Sequence, residues 1–220
     1  MTALNYFLHP QVVLVSMDTL SSAPGGSILG FSTKVFPLPH LHGVICCTGS
    51  LDLALEWFVF VQTRISPRDM RDLNDVAPEQ LAILAAATAY PDIESTIYHF
   101  GLDRTAGHLR GWAYRSTGSF RSEALPESAL GLKPAPPAVE SLQRLWFEIA
   151  MEGDAAHAFV EVMKLQKDYD RTSGPDKSVG IGGEIHLLAL TGESQTLWTC
   201  HEFDDYAADF RRSREDNQPD

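Results

Sequence analysis

Strand-like and helix-like segments occur in groups along this chain, rather than alternating one by one. The predicted strands lie at 3–8, 12–16, 33–36, 44–49, 94–102, 108–115, 184–190 and 195–203. The predicted helices lie near 50–65 and 78–90 and within 138–166. Single alternation would predict a doubly wound parallel sheet, whereas grouped strands and helices do not fit that topology. The order predicts an α+β fold, a four-layer αββα sandwich in which two antiparallel sheets stack between two layers of helices.

The first two helices carry start signals. Thr48 or Ser50 can cap the apolar helix near 50–65, and Asp52 suits its first turn. The second helix is expected to open between Asp75 and Pro78, with the proline in its first turn.

Three stretches are expected to be irregular. Residues 19–30 are rich in Ser, Gly and Pro, and 123–137 is the most loop-like interior segment, typical of an insertion or a lid. The charged end, 206–220, predicts a disordered tail after a single domain over 1–205.

Composition excludes several function classes. The 220-residue chain has a net charge of -12, which disfavours binding to nucleic acids and anionic membranes. Its three cysteines, Cys46, Cys47 and Cys200, form no disulfide framework and suit a reducing compartment. The start lacks signal-peptide character, and no apolar run of about 18 residues occurs. We expect a cytoplasmic protein.

No cofactor or metal site is expected. His40 and His42 form the pattern His-x-His in a proline-rich loop, but no further ligands follow at a defined spacing. A surface loop is the better interpretation of these two residues.

One set of polar residues has a spacing that suggests chemistry. Thr2 follows the initiator methionine, Asp18 lies 16 positions after it, and Lys34 lies 32 positions after it. Thr48 and Gly49 come just before the first predicted helix.

This pattern resembles the proteasome β-subunit and HslV family of N-terminal-nucleophile hydrolases, in which a threonine becomes the first residue after processing. The resemblance implies that Thr2 is the nucleophile, Lys34 the nearby positive charge and Asp18 its partner. It also implies that the backbone N–H groups of Thr48 and Gly49 stabilise the oxyanion.

The chemistry requires a free amine on the threonine. A threonine hydroxyl is a weak nucleophile that needs a base, and an α-amine, which titrates at about pH 8 in peptides, can serve. Thr2 has that amine only if Met1 is removed. Lys34 would favour the deprotonated hydroxyl and amine.

The chain departs from the family pattern in places. Thr48 replaces a glycine, while Ser178 and Ile181 stand where the family has an aspartate and a serine that support the amine. Asp176 lies close enough in sequence to substitute. Ser116 and Ser119 are both candidates for another supporting serine.

Three functions therefore remain open. The first is a threonine-type amidohydrolase, acting on peptide bonds. The second is a non-catalytic, proteasome-like subunit that assembles or binds, and the third is an amidase for a small non-peptide amide. The expected substrate is a peptide or small amide, and the expected state is a homo-oligomer with closed symmetry.

Overall fold

The structure, a computed structural model, describes residues 2–22, 27–88, 93–135, 137–173 and 178–216. It contains two five-stranded antiparallel sheets, a small two-stranded sheet and five α-helices within these ranges. The prediction of an α+β fold with antiparallel sheets is confirmed.

The first sheet has the strand order β10-β1-β2-β11-β12. Its strands are β1 Leu4–His9, β2 Val12–Asp18, β10 Ala129–Lys133, β11 Glu184–Thr191 and β12 Gln195–Glu202. The second sheet has the order β5-β6-β7-β8-β9. Its strands are β5 Val35–Leu38, β6 Gly43–Thr48, β7 Thr96–Asp103, β8 His108–Arg115 and β9 Ser122–Ala124. The small sheet pairs β3 Leu20–Ser22 with β4 Ile28–Phe31. The helices are α1 Leu51–Thr63, α2 Met70–Ala87, α3 Val139–Met151, α4 Ala155–Thr172 and α5 Tyr206–Asp216.

Three of the four apolar clusters among the described residues hold the sheets and their helices together. Because successive side chains of a strand point to opposite faces of the sheet, each large sheet can bury apolar side chains on both of its faces. One cluster joins the two sheets and includes Leu8, Val15, Val44 and Phe100. A second packs α1 and α2 on the second sheet, and a third packs α3 and α4 on the first sheet.

The three predicted hairpins and the helix break near Gly153 are confirmed. β1 pairs with β2, β7 with β8 and β11 with β12, each antiparallel. Gly153 has φ +98 between α3 and α4, a conformation that glycine adopts without strain. None of the described helices is both long enough and apolar enough to cross a lipid bilayer.

The predicted start of the second helix is wrong. α2 begins at Met70, because Asp69 caps it by accepting hydrogen bonds from the backbone N–H groups of Arg71 and Asp72. Pro78 therefore lies inside the helix. Buried packing of Met70 and neighbouring residues outweighs the sequence signal of the proline. At α1, Ser50 is the cap, since its side chain accepts a hydrogen bond from Leu53.

The three stretches expected to be irregular contain regular structure. β3 and β4 lie within 19–30, and β10 lies within 123–137 as an edge strand paired with β1, so this part of the segment belongs to the first sheet rather than to a loop. Leu130 and Leu132 of β10 are buried, an alternation that the surrounding Gly and Pro residues obscured. α5 occupies much of the predicted tail because Tyr206 packs on Phe31 at 4.8 Å between ring centroids. Residues 217–220 lie outside the described residues.

His99 is a buried titratable residue in the core of the second sheet. Its Nε2 accepts a hydrogen bond from the Trp57 indole at 2.8 Å, and its ring lies 4.6 Å from that of Tyr114. Burial lowers the pKa of His99 to about 3. In the unfolded chain His99 takes up a proton as the pH falls below about 6.5. In the folded chain it stays neutral until the pH approaches about 3.

We predict that this difference lowers the free energy of unfolding at acid pH. Between about pH 7.5 and about pH 5.0 the His99 contribution is a loss of about 2 kcal/mol. Urea unfolding at both pH values should show this loss in the parent chain and a smaller one in His99→Gln. His157→Gln, at an exposed position, is the matched control and should behave as the parent. Equal pH sensitivity in His99→Gln and the parent would contradict the assignment.

Candidate active site

The structure brings Thr2, Asp18 and Lys34 together. The Lys34 ammonium donates a hydrogen bond to Thr2 Oγ1 and lies 3.4 Å from Asp18 Oδ1. Thr2 Oγ1 in turn donates to Asp18 Oδ1 at 2.9 Å. All three side chains are buried. A hydroxyl, an ammonium and a carboxylate thus meet at the start of the chain.

Asp18 organises this cluster. It also accepts hydrogen bonds from the backbone N–H groups of Ala3, at 2.9 Å, and Gly182, at 3.2 Å. Lys34 donates a further bond to the carbonyl of Leu20 at 2.5 Å. A buried ion pair is tolerated only when its remaining hydrogen-bonding capacity is satisfied, and these backbone groups meet that requirement.

Strand register explains why residues distant in sequence converge. Leu4 pairs with Met17 in the β1–β2 hairpin, which sets the residues before β1 beside the end of β2. The backbone N–H of Ser32 donates a hydrogen bond to the carbonyl of Thr19 at 2.9 Å. This bond returns the chain to the end of β2, so that Lys34, just before β5, lies close to Asp18.

Two cavities border the cluster, and Thr2 and Gly49 line both. The first has a volume of about 360 Å³ and the second about 280 Å³. The first is lined by residues of β3, β4 and the start of α1, including Phe31, Leu51 and Asp52. Thr2 therefore borders open space in both cavities.

Gly49 cannot carry a side chain. Its φ is +94, and a Cβ atom there would lie 2.2 Å from the carbonyl oxygen of Glu94. Thr48, which precedes it, is half-buried and lines the second cavity but not the first. The β-branched side chain of Thr48 therefore borders only one of the two approaches to Thr2.

The loop after α4 is held differently from what the family pattern implies. The Ser178 hydroxyl and the Gly180 N–H both donate to Asp170 Oδ2, at 2.8 and 3.0 Å. Ile181 is buried in an apolar cluster with Ala3 and supplies no polar group. Asp176 lies outside the described residues.

Sequence reasoning missed Asp170. Its position near the end of a polar helix gives no spacing signal, because its partners are reached only after α4 ends. Its buried carboxylate fixes the loop that leads to Gly182, whose N–H donates to Asp18. Asp170 therefore acts on the cluster through the backbone, not by contact.

Two further residues near the site have assignable roles. Of the two candidate serines, Ser116 lines the second cavity and its hydroxyl accepts a hydrogen bond from the Ser95 N–H at 3.0 Å, whereas Ser119 lines neither cavity around Thr2. Cys47 lines the first cavity, and burial raises its pKa to about 12. Its thiol therefore stays protonated at neutral pH and is a poor nucleophile.

Within the part of the chain that the structure describes, no group of three or more His, Cys, Asp or Glu side chains could hold a metal ion.

Comparison with known proteins gives structural but not sequence matches. No family model matches the chain, and no curated protein matches it. Anbu (ancestral beta-subunit) from Yersinia bercovieri matches with a TM-score of 0.64 at 12% identity, covering 100% of this chain and 99% of that one. The Anbu (Gly-1) mutant from Hyphomicrobium sp. strain MC1 matches with a TM-score of 0.66 at 12% identity, covering 98% and 94%. A second structure of that Anbu matches with a TM-score of 0.62 at 12% identity, covering 97% and 94%.

These matches correct the predicted family. The assignment to proteasome β-type or HslV-like subunits is wrong, because the similar solved structures are Anbu proteins. At 12% identity the similarity establishes the fold alone, and it extends over nearly the whole length of both chains.

Proposed function

We propose that this protein is a threonine-type N-terminal-nucleophile amidohydrolase that cleaves peptide bonds, with Thr2 as nucleophile once Met1 is removed. The observation that carries the proposal is the hydrogen bond from the buried Lys34 ammonium to Thr2 Oγ1. The stacking of helices, two sheets and helices supports it, since we take this arrangement to be the four-layer αββα sandwich of such hydrolases.

The proposed reaction proceeds through an ester. The Thr2 hydroxyl attacks the substrate carbonyl and its proton passes to the free α-amine of Thr2. The C–N bond breaks, and the leaving nitrogen takes that proton. Water then attacks the ester carbonyl, which releases the acid and restores the hydroxyl. The positive charge of Lys34 favours the oxyanion of Thr2 during attack, and Asp18 holds Lys34 in place.

Thr48 and Gly49 complete the proposed site. Both border the second cavity beside Thr2, where backbone N–H groups would stabilise the negative charge that develops on the carbonyl oxygen. The close approach of Gly49 to Glu94 fixes the backbone at this point, so the groups need little rearrangement during the reaction.

A second function is favoured by a specific observation. Ile181 places an apolar side chain where a supporting hydroxyl would assist proton transfer, and Ser178 is engaged by Asp170. A non-catalytic subunit, which keeps the buried cluster for stability and acts by assembly or binding, would tolerate both features. The two functions differ in whether Thr2 reacts.

We predict that hydrolysis of fluorogenic peptide amides depends on Thr2. Thr2→Ala removes the nucleophile and should abolish turnover without unfolding the protein, since Lys34 keeps its contacts with Asp18 and the Leu20 carbonyl. Thr2→Ser keeps a hydroxyl and should retain part of the rate. The measurement is the rate of hydrolysis across a panel of peptides, and circular dichroism checks that each variant is folded. Equal rates for the parent and Thr2→Ala would exclude Thr2 as the nucleophile.

We also predict that Lys34→Met lowers the rate by about 100-fold or more, because a positioned charge beside the nucleophile is lost. Removing one partner of a buried ion pair also costs about 3–5 kcal/mol of stability. The assay should therefore be run at a temperature where the variant remains folded. Lys164→Met is the control, since Lys164 pairs with Glu161 on the surface of α4. A rate for Lys34→Met that matches this control would argue against the mechanism.

We further propose that the chain forms a homo-oligomer. Exposed apolar side chains on the outer helices, including Leu55, Val59 and Ile83, offer a surface for contact between copies. Light scattering at micromolar concentration should give a mass that is a multiple of 24.3 kDa. Val59→Asp places a charge on this surface and should reduce the mass, while Thr63→Asp at the end of the same helix is the control. A monomeric parent chain would refute this proposal.

A further inference from the structure

The two cavities beside Thr2 differ in charge. The first includes the carboxylate of Asp52, together with the Lys34 ammonium already paired with Asp18. The second includes two cationic side chains, Arg115 and Lys133. A substrate lying across Thr2 would therefore meet different electrostatic surroundings at its two ends.

The two cationic side chains of the second cavity differ in whether they form an ion pair. Arg115 pairs with Glu123 of β9. Among the described residues, no carboxylate forms an ion pair with the Lys133 ammonium. Glu94 also lines the cavity, but it is exposed and lies beyond ion-pair distance of Lys133. Lys133 is half-buried and is thus a cation without an ion pair among the described residues of a chain whose net charge is -12.

The rest of the second cavity suits an oxygen-rich anion. Its lining includes the hydroxyl groups of Ser116 and Thr117, each able to donate one hydrogen bond. Lys133 ends β10, and the pairing of Leu4 with Lys133 places that end beside the start of β1. The ammonium and the proposed nucleophile therefore approach the same cavity from neighbouring strands.

We propose that the second cavity binds the carboxylate of the fragment that leaves as the amine, so that the preferred substrates carry a free carboxylate close to the scissile bond. This inference rests on the proposed function and narrows its substrate class to peptides with one or a few residues after the cleaved bond. When the C–N bond breaks, the leaving nitrogen takes the proton from the Thr2 amine, and the carboxylate stays unchanged on Lys133.

The test is a binding measurement on Thr2→Ala, a chain that cannot turn over its ligand. The probes are N-acetyl-leucyl-alanine and its C-terminal amide, which differ only in the carboxylate. We expect the free acid to bind with a Kd lower by about tenfold or more, since hydrogen bonds to a charged group contribute strongly. Adding Lys133→Gln should remove this preference, Lys133→Arg should keep most of it, and Lys164→Gln should leave it intact.

Several results would overturn the proposal. These are equal Kd values for the acid and the amide, no measurable binding of the acid, or a preference that survives Lys133→Gln. The comparison of acid with amide on the Thr2→Ala chain needs no second substitution, so it holds even if a Lys133 variant folds poorly. Because no turnover is involved, failure here is distinct from failure of Thr2 as nucleophile, which the rate assays report.

Discussion

The buried contact between Asp18 and Lys34 is the interaction on which the rest of the site depends. Two charges removed from water are costly unless each finds its partners. Asp18 forms an ion pair with the Lys34 ammonium and accepts hydrogen bonds from the Thr2 hydroxyl and two backbone N–H groups. Lys34 also donates a hydrogen bond to the Leu20 carbonyl. These bonds tie the start of β1, the end of β2, the entry to β5 and the loop before β11 into one unit. The Thr2 hydroxyl is therefore placed by the fold itself.

The resemblance in spacing was sufficient to predict that Thr2, Asp18 and Lys34 meet in the structure. Thr2, Asp18 and Lys34 precede or follow strands whose pairing brings them together, and the first hairpin was predicted from two short apolar runs. The grouping of strands and helices also predicted the α+β class. The catalytic roles themselves stay a prediction, and the family named from the same residues was wrong.

What the sequence did not predict follows from long-range packing. β10 pairs with β1 across more than a hundred residues, so its Gly- and Pro-rich neighbours suggested a loop. α5 is held in place because Tyr206 and Phe210 pack on Phe31. Phe31 lies in β4, a strand that the sequence did not predict. Asp170 and Lys133 act at distances along the chain that no local pattern records. In each case the determining partner lies far away in sequence.

The fold is compatible with both proposed functions, the hydrolase and the non-catalytic subunit. A cluster that is fully hydrogen-bonded stabilises the protein whether or not Thr2 reacts. Catalysis adds one requirement that packing does not impose, which is a free α-amine on Thr2. The two cavities and the fixed backbone at Gly49 have value for a hydrolase and none that is evident for a purely structural cluster.

The most direct measurement is intact-mass spectrometry of the purified protein before and after incubation with a β-lactone, which acylates an activated hydroxyl by ring opening. The account predicts a mass lower by one methionine residue, and a single lactone adduct that peptide fragmentation places on Thr2. The adduct should be absent in Lys34→Met that remains folded. A chain that retains Met1, or an adduct absent from Thr2, would contradict the account.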